Sequence, residues 1–449
     1  MSEGGAGSGP VGGEPGQLVD PPSDPRDSAA HVRRVAGAGL IGTAIEFYDF
    51  FLYGLAAAVV FGPQFFPSAS PVAGTLASLA TFGAGFLVRP LGGVVFGHFG
   101  DRIGRKRVLV ITLLLAGGST FLIGLLPTYS AIGVAAPVLL VLCRLLQGLG
   151  VGGEWGGAVL LAIEHAPANR RSVYGAFPQM GNPIGLISAI VILLLCRALT
   201  SPEQFQAWGW RIPFLLSAAL VVTGLVIRLR VLESPEFERA RTERKIVRVP
   251  FVELVRRYPR QLIFGTLVAT ASPAIGLLLY VYLVSVGQQV LHVSAGRMLF
   301  LAASSGVGLL VAIWISSHLA ERLGRKTMSI IGLVVMAVWA FPFFLLFQSG
   351  SLPQMLLGFV VFGASVGIVN GPQAAILAEL FPVGMRYSGA SFAFQLASIL
   401  GGAVAPLAAV ALFAETGELL AVGGWAVVIA LISLVSFRFL PPPVDSPGA

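Results

Sequence analysis

The chain has few charged residues for its length. Asp, Glu, Lys and Arg make up 11% of its 449 residues, whereas apolar residues make up 55%. A soluble domain carries roughly 25% charged residues, so this chain has too few of them to cover a surface that faces water. The mean hydropathy of +0.85 agrees. The composition therefore predicts an integral membrane protein without a soluble domain large enough for a separate activity.

Cysteine is also scarce. The two cysteines, Cys143 and Cys196, both lie within apolar runs, which argues against a disulfide framework and favours small side chains in a packed interior. Residues 1–32 are rich in Gly, Pro, Ser and Asp and lack an apolar stretch. They are therefore predicted to be a disordered tail rather than a signal peptide.

Motifs for catalysis and nucleotide binding are missing. The sequence contains no HExxH and no paired CxxC, and Gly324–Thr327 lacks the residue order of a Walker A loop. Gly148–Gly153 approximates a dinucleotide fingerprint, but it interrupts a long apolar run instead of following a strand. Small residues at such a place let neighbouring helix backbones approach closely. We therefore predict no enzyme activity, no cofactor and no metal site.

Long apolar runs dominate the sequence. A hydrocarbon core about 30 Å thick needs roughly 20 apolar residues per helix. Breaking the chain at charges, Pro and Gly gives twelve candidate helices, at about 36–62, 72–97, 107–126, 132–164, 172–197, 210–230, 261–287, 297–319, 327–347, 353–379, 387–412 and 418–438. The long polar interruption at 229–260 separates two all-α six-helix bundles, at 33–228 and 261–440, and residues 441–449 form a C-terminal tail.

The basic residues predict the orientation of the chain. If the N-terminus is cytoplasmic, 24 of the 29 Lys and Arg residues fall on the cytoplasmic side. The five others are Arg89 and Arg144 within helices, and Arg197, Arg211 and Arg297 outside. The positive-inside rule then places both termini and the linker in the cytoplasm. Topology and attraction to anionic lipid explain the net charge of +8, so we predict no nucleic-acid partner.

Two short charged turns share one pattern. Residues 97–106 read GHFGDRIGRK and residues 318–326 read HLAERLGRK, and each lies between two long apolar runs. A turn repeated at the same place in two halves indicates a duplicated membrane unit. Duplicated helical units around a central site are the architecture of secondary transporters.

These turns and several other segments resemble the major facilitator superfamily, and more narrowly its metabolite:proton symporters, which include shikimate, α-ketoglutarate, citrate and proline/betaine permeases. The other matching segments are Gly42–Gly54, Arg144–Gly148, Gly152–Ala158, Gly371–Ala375, Glu379–Pro382 and Arg386–Ser391. The resemblance spans about residues 33–440, and the late segments look most like the shikimate-type branch. It implies twelve transmembrane helices in two pseudo-symmetric bundles that rock around a central site in the plasma or inner membrane.

The resemblance also implies proton-coupled uptake of a small polar, anionic metabolite, such as a shikimate-like compound or a dicarboxylate. Proton-coupled export and uniport of a neutral or zwitterionic solute are the alternatives within transport. A non-transporting membrane sensor is the alternative from another class. We expect the partners to be the metabolite, protons and membrane lipid, and we expect the chain to act as a monomer.

Ionisable residues within the predicted helices are candidates for proton coupling, because a buried charge is costly in lipid. Glu46 and Asp49 are three residues apart and share a helix face. At about 1.5 Å per residue, Arg144 reaches a similar depth from the other end of the fourth helix. Arg144 could hold one acid ionised while the other takes a proton, or it could anchor a substrate carboxylate. We predict Asp49 as the proton carrier and Glu46 as its ionised neighbour; a static ion pair is the alternative.

Charged residues near the predicted cytoplasmic ends are candidate gate residues. Glu154 could reach Arg105 or Arg89 and lock that face, or it could itself be a proton site. Duplication predicts a matching contact in the second half, where Glu379 and Arg386 would face Arg322 and Arg325. The predicted gating residues are Asp101, Arg102, Arg105, Glu154, Arg89, Arg322, Arg325, Glu379 and Arg386.

Polar side chains elsewhere in the helices predict the substrate site. Asn370 and Gln373 are one turn apart and flank Gly371 and Pro372, which free backbone groups to face a cavity. Hydrogen-bonding side chains suit a hydroxylated or carboxylated metabolite, although interhelical packing could explain any one of them. The predicted substrate-binding residues are Arg144, Tyr53, Gln147, Tyr280, Asn370, Gln373 and Gln395.

The orientation leads to a direct test with protease added to intact cells. Both termini and the loop at 229–260 should resist cleavage, because the membrane shields the basic side of the chain. An identical protease site inserted after Ser201, on the opposite side, should be cut and serves as the positive control. Cleavage within 229–260 from outside would contradict the predicted orientation.

Overall fold

The computed structural model describes residues 25–67, 71–229 and 250–444, and this part of the chain consists of helices and short connections without a β-strand. Twelve of its helices are long and apolar enough to cross a membrane, which confirms the predicted all-α membrane fold. They are α1 Pro25–Ala56, α2 Pro71–Ile103, α3 Arg105–Leu125, α4 Ala135–Glu164, α5 Arg171–Leu199, α6 Arg211–Leu229, α7 Pro259–Gln289, α8 Ala295–Leu323, α9 Arg325–Gln348, α10 Leu352–Glu379, α11 Val383–Thr416 and α12 Leu419–Phe439.

The predicted boundaries differ from the observed ones mainly at the first helix. Helix α1 begins at Pro25, so its first turns occupy part of the tail predicted at 1–32. Proline suits this position because it lacks the N–H that a first turn leaves unsatisfied. The rest of that tail, most of the predicted linker and the end of the C-terminal tail lie outside the described residues. The described end of the linker forms a short helix, Pro250–Arg257.

Glycines let α2 and α4 cross closely within the first half. A Cβ atom added to Gly148 would collide with the backbone of Gly85, and one added to Gly152 would collide with the backbone of Arg89. Small residues at a helix crossing allow this approach in a membrane. The glycine run at 148–153 is thus a packing surface, as its sequence context predicts.

The two halves meet through equivalent helices. Helices α2 and α4 of the first half pack against α11, while α5 packs against α8 and α10 of the second half. Because α5 corresponds to α11 and α2 to α8 after a six-helix duplication, the two contacts are related by pseudo-symmetry. Both lie toward the side of the bundle that carries the charged turns at 101–107 and 321–326, which we name the motif face.

Asp101, at the end of α2, caps a helix of the other half. Its carboxylate accepts hydrogen bonds from the backbone N–H groups of Tyr387 and Ser388, with N···O distances of 3.2 and 2.9 Å, and from the Ser388 hydroxyl at 2.8 Å. The α-helical part of α11 starts at Arg386, so these N–H groups lack partners within their own helix. A carboxylate at this position also interacts favourably with the helix dipole.

Ion pairs surround this cap. Arg105, at the start of α3, lies 3.5 Å from a carboxylate oxygen of Glu164 and 3.8 Å from Asp101. Arg386 lies 3.5 Å from the same Glu164 oxygen. We name Asp101, Arg105, Glu164 and Arg386 the first latch, because they join the two halves at the motif face.

A second latch occupies the pseudo-symmetric position. The carboxylate of Glu321, at the end of α8, accepts a hydrogen bond from the backbone N–H of Ser172 at 2.5 Å, near the start of α5. Arg325 donates to the Ser172 hydroxyl at 2.8 Å and pairs with Glu379, which lies 3.9 Å from Arg171. Its charged side chains are 17% to 27% exposed, against at most 4% in the first latch. The first latch is therefore the less hydrated of the two.

The structure places some of the predicted gate residues at contacts between the halves and others elsewhere. Asp101, Arg105, Arg325 and Glu379 take part in the latches, whereas Arg386 pairs with Glu164 instead of facing Arg322 and Arg325. Arg102 and Arg322 are exposed. The sequence carried a usable signal for the missed residues, because Glu164 and Arg171 have the same spacing as Glu379 and Arg386.

The opposite face holds an open space between the halves. This vestibule has a volume of about 250 Å³ and lies between α1, α2 and α5 on one side and α7 and α8 on the other. Gln288 and Gln289, at the end of α7, line it and are exposed. The protein is thus closed at the motif face and accessible from the other face.

The latch geometry predicts the effect of neutralising its acids. Asp101→Asn keeps the shape of the side chain but removes the charge that caps α11, so the state open at the motif face should gain population. A cysteine placed at Ser391, in a background without Cys143 and Cys196, should then react several-fold faster with a thiol reagent applied from that face.

Two further variants serve as comparisons in the same assay. Glu321→Gln, in the more hydrated second latch, should increase labelling less than Asp101→Asn, because exposed pairs contribute less. Arg102→Gln, on the exposed surface, should leave labelling unchanged. Equal labelling in all variants and the parent protein would show that the latches do not hold this face closed.

Candidate functional site

A smaller cavity lies between the vestibule and the latches. Its volume is about 80 Å³, and both halves contribute to its wall. Much of the lining is aromatic, from Phe47, Phe50, Phe51, Phe86, Tyr280 and Phe394. The polar lining consists chiefly of Arg89, Gln179, Asn182, Ser272, Asn370 and Ser398. An apolar cavity with a few convergent polar groups is the usual form of a small-molecule site.

An aromatic pair separates this central cavity from the vestibule. The rings of Phe51 in α1 and Tyr280 in α7 meet edge to face, with centroids 5.7 Å apart, and both residues line both spaces. Tyr280 lies in a π-helical turn of α7, Leu278–Tyr282. Such turns are frequent at functional sites because they interrupt the regular helix. A solute that enters from the vestibule has to pass this pair.

Arg89 supplies the charge of the cavity. Among the described residues that line it, Arg89 is the only ionisable side chain other than tyrosine. Its guanidinium carbon lies 4.4 and 4.6 Å from the ring centroids of Phe50 and Phe86. Its Nε atom has no hydrogen-bond partner. A buried guanidinium with an unused donor is suited to bind an anion.

The second half and α5 supply neutral polar groups. Ser272 of α7 donates a hydrogen bond to Asn370 of α10. Asn182 of α5 has a buried amide oxygen without a hydrogen-bond partner. Since a buried polar atom without a partner is costly, this oxygen is a place where a ligand hydroxyl can donate.

The floor of the cavity joins the halves through a chain of amide groups. The indole N–H of Trp155 donates to Gln179 at 2.7 Å, and Gln179 donates to Gln373 of α10 at 3.4 Å. Trp155 also stacks on Phe394 of α11, with ring centroids 3.9 Å apart. Gln395 donates to the carbonyl of Gly152 at 3.1 Å. Except for the Trp155–Gln179 hydrogen bond, which lies within the first half, these contacts join the two halves, so opening of the motif face must break them.

The predicted substrate residues fall into two groups. Tyr280 and Asn370 line the cavity, and Gln373 and Gln395 form contacts of its floor. The other three predicted residues, Arg144, Tyr53 and Gln147, lie away from the described cavity lining and pack within the first half. Their prediction as direct substrate ligands is not supported by this geometry.

Arg144 is enclosed by its own half. Its guanidinium carbon lies 4.4 Å from the Tyr53 ring centroid and 4.7 Å from that of Phe82, and the group donates to Gln147. No ion pair joins Arg144 to Glu46 or Asp49, so the predicted pairing is wrong. The prediction considered only the position of Arg144 along its helix and not the side toward which it points, and Arg144 packs against Gly85 of α2.

The two acids of α1 point into the first half. Asp49 accepts a hydrogen bond from the Ser217 hydroxyl of α6 at 2.6 Å. Glu46 lies within the electrostatic reach of two cations, Arg89 and Arg228, and its Oε2 atom has no hydrogen-bond partner. The cations that act on Glu46 are therefore Arg89, which lines the cavity, and Arg228, and not the predicted Arg144.

Glu154 pairs with Arg228 of α6. The prediction that it reaches Arg105 or Arg89 at the gate is wrong, because Glu154 faces α3 and α6 within the first half. Thr112 of α3 donates to its carboxylate at 3.4 Å. From the sequence, Arg228 was counted only among the basic residues of the cytoplasmic side. Because it lies in the last turn of an apolar run, its side chain could also have been expected to point into the helix bundle.

Arg89, Glu46, Arg228 and Glu154 thus alternate in charge, and we name them the charge row; Arg228 and Glu154 form an ion pair, whereas Glu46 interacts with the two arginines through longer-range electrostatics. It begins at the central cavity and crosses the first half from α2 through α1 to α6 and α4. Alternating charges compensate one another where water is excluded. The row contains no residue of the second half.

Comparison with known proteins agrees with this architecture. The sequence model of the Major Facilitator Superfamily matches residues 39–406, with a further match at 288–449. The chain is 44% identical over 409 residues to the inner membrane metabolite transport protein YhjE of Escherichia coli (strain K12), covering 90% of this chain and 92% of that protein. It is 41% identical over 394 residues to the shikimate transporter of the same organism, covering 86% and 89%.

A solved structure shows the same fold. The proton:xylose symporter XylE bound to 6-bromo-6-deoxy-D-glucose superposes with a TM-score of 0.75 at 19% identity, covering 92% of this chain and 97% of that one. At this identity the likeness concerns the arrangement of helices. The membership of a family rests on the family model and the two relatives. The chain belongs to the Major Facilitator Superfamily, and it is a membrane transporter rather than an enzyme.

Proposed function

We propose that the chain is a symporter that takes up a small carboxylate metabolite together with protons. The observation that carries the proposal is Arg89, whose guanidinium lines the central cavity with an unused donor. Guanidinium groups bind carboxylates through two parallel hydrogen bonds and stay charged at every physiological pH. An anionic substrate therefore has a defined place to bind.

The rest of the lining restricts the substrate further. One cation in the described lining matches one carboxylate, which favours a monocarboxylate over a dicarboxylate. The aromatic walls suit the face of a carbon ring, and the free oxygen of Asn182 suits a hydroxyl donor. A hydroxylated cyclic acid fits these three features. The similarity to a shikimate transporter supports this substrate class.

A substrate with a quaternary ammonium group is a second candidate. Aromatic faces attract such cations, and the cavity has several. However, the rings of Phe50 and Phe86 already face the Arg89 guanidinium. A zwitterion would also leave no net negative charge to couple with a proton. We therefore place the hydroxylated acid first.

The charge row provides a mechanism of coupling. In the empty cavity, Glu46 compensates Arg89 and Glu154 compensates Arg228. A substrate carboxylate on Arg89 adds a negative charge, and burial of that charge is costly unless Glu46 takes up a proton. Asp49 lacks an ion-pair partner among the described residues, and we assign it the neutral form throughout. One proton then accompanies one monocarboxylate, and transport is electroneutral.

The orientation completes the proposal. The relative YhjE is described as an inner membrane protein, and we infer the same membrane for this chain. With the basic side in the cytoplasm, the motif face is cytoplasmic and the vestibule opens to the outside. The structure then represents the state in which substrate and proton enter. Loading of both would precede the opening of the latches.

Substitution of Arg89 tests the substrate site. Arg89→Gln should lower the affinity for a cyclic monocarboxylate by at least ~30-fold, on the order of 2 kcal/mol for a lost charge-assisted contact. Arg89→Lys should recover only part of it, because lysine lacks the bidentate fork. Binding to purified protein is measured with shikimate, a dicarboxylate and a betaine as competitors.

Arg144→Gln is the matched control, since Arg144 is also a buried arginine of the first half but does not line the cavity. It should change substrate affinity less than Arg89→Gln. If Arg144→Gln abolishes binding and Arg89→Gln does not, the carboxylate site is misplaced. Preferential competition by the betaine would favour the zwitterion candidate.

Substitution of the two acids tests coupling. In proteoliposomes, Glu46→Gln should abolish accumulation driven by a pH gradient while leaving exchange of labelled for unlabelled substrate measurable, because exchange requires no release of the proton. Asp49→Asn should retain accumulation, contrary to the role that sequence reasoning gave it. Accumulation by the parent protein should not respond to a membrane potential imposed by valinomycin. If the Glu46→Gln variant still accumulates substrate and the Asp49→Asn variant does not, Asp49 is the proton carrier.

A further inference from the structure

The far end of the charge row reaches a second opening. A cleft of about 10 Å³ lies among α1, α3, α4 and α6, and it is lined by Arg228 and by Lys106 at the start of α3. This volume is close to the roughly 10–15 Å³ that one water molecule needs. Lys106 is half-buried at the motif face, where it donates to the carbonyl of Leu229 at 2.9 Å. The cleft thus connects the buried end of the row with the motif face.

Arg228 is placed to serve two carboxylates. It pairs with Glu154 and donates to the carbonyl of Leu109. Its guanidinium also packs against Gly42 of α1, since a Cβ atom there would collide with it. Glu46 follows one helical turn later on the same face. The Arg228 guanidinium therefore lies against the face of α1 that carries Glu46 while it pairs with Glu154.

We propose that Glu154 and Arg228 form a proton-release relay, which carries the proton from Glu46 to the motif face inside the first half and apart from the substrate path. The inference rests on the proposed proton symport. It assigns to Glu154 the role of a proton-accepting group and to Arg228 the role of a positioning residue. The cleft beside Lys106 is the exit.

The proton is conserved at each step. After loading, the proton is on Glu46 and Arg228 pairs with the Glu154 carboxylate. The proton then passes, through water or direct contact, to an oxygen of Glu154. The Glu46 carboxylate that has lost the proton now pairs with Arg228. As the substrate leaves, Glu46 turns back to Arg89, and Glu154 gives the proton to water in the cleft and regains Arg228. Arg228 keeps its own proton throughout.

The charge count favours this exchange. Glu46, Arg228 and Glu154 together hold one positive charge, one negative charge and one neutral carboxyl at both intermediate steps. No uncompensated charge is created in the membrane interior, which would be costly. A fixed structural brace would need only the Arg228–Glu154 pair. It would give no reason for a buried acid with an unused oxygen at one end and a water-sized cleft at the other.

Every neighbouring helix adds groups that act on the relay. Helix α1 contributes Glu46 and Asp49, α2 contributes Arg89, and α3 contributes Thr112 and Lys106. The Tyr387 hydroxyl of α11 donates to the carbonyl of Gly153 at 2.7 Å, beside Glu154 in the sequence. The backbone N–H of the same Tyr387 donates to Asp101 of the first latch. Opening of the first latch therefore moves the Tyr387 hydroxyl away from the relay.

The test measures protons moved per substrate, not rate alone. Proteoliposomes containing the full chain and an internal pH dye are given labelled shikimate, and its uptake and the internal acidification are followed together. Glu154→Gln should retain exchange within about threefold, while its proton-to-substrate ratio falls from about one to below 0.1. Glu154→Asp, which keeps the acid, should restore the ratio. The double variant Glu154→Gln/Arg228→Gln leaves no unpaired charge and should show the same loss of coupling if the single variant folds poorly.

Glu164→Gln is the matched control, because it neutralises another buried acid of the same helix, in the first latch. It should change the rate of exchange but keep the ratio near one. A ratio near one in Glu154→Gln or in the double variant would overturn the relay, and so would loss of coupling that Glu154→Asp does not restore. Absence of acidification by the parent protein would instead refute the proposed proton symport itself.

Discussion

The cost of placing charge in a hydrocarbon interior organises this molecule. An ionised side chain in a membrane helix needs a partner that replaces water. Arg228 has Glu154, and Arg105 and Arg386 share Glu164. Arg144 instead has aromatic faces and an amide oxygen. Arg89 differs in its place: aromatic rings cover its faces, its Nε atom has no acceptor, and it lines the central cavity. In the proposed function, this Nε–H is the donor that a substrate carboxylate uses, and the same cost of buried charge then requires a proton to accompany it.

The latches and the charge row respond differently to motion of the halves. Each latch joins an acid of one half to the N-terminal N–H groups of a helix in the other, so rocking must break it. The charge row lies entirely within the first half and moves with that half as a unit. Its four residues therefore keep their places relative to one another while the latches open and close.

Much of the architecture could be predicted from the sequence because it depends on local composition. Apolar length predicts the helices, the repeated turns predict the duplication, and Asp101 at a helix end predicts a gate contact. The side toward which Arg144 and Arg89 point could not be predicted, since rise per residue gives depth but not rotation. That rotation depends on how closely α2 and α4 cross at Gly148 and Gly152. Arg144 is thereby enclosed within the first half, whereas Arg89 faces the cavity.

The two latches also show why duplication does not produce equal roles. Their geometry is equivalent, yet the first is buried and the second is partly hydrated. Water weakens ion pairs, so we expect the second latch to resist opening less than the first. The first latch adjoins α4, whose Gly153 carbonyl receives the Tyr387 hydroxyl next to Glu154. The stronger barrier to opening is thus built beside the charge row, where the protonation of one half can influence its contact with the other.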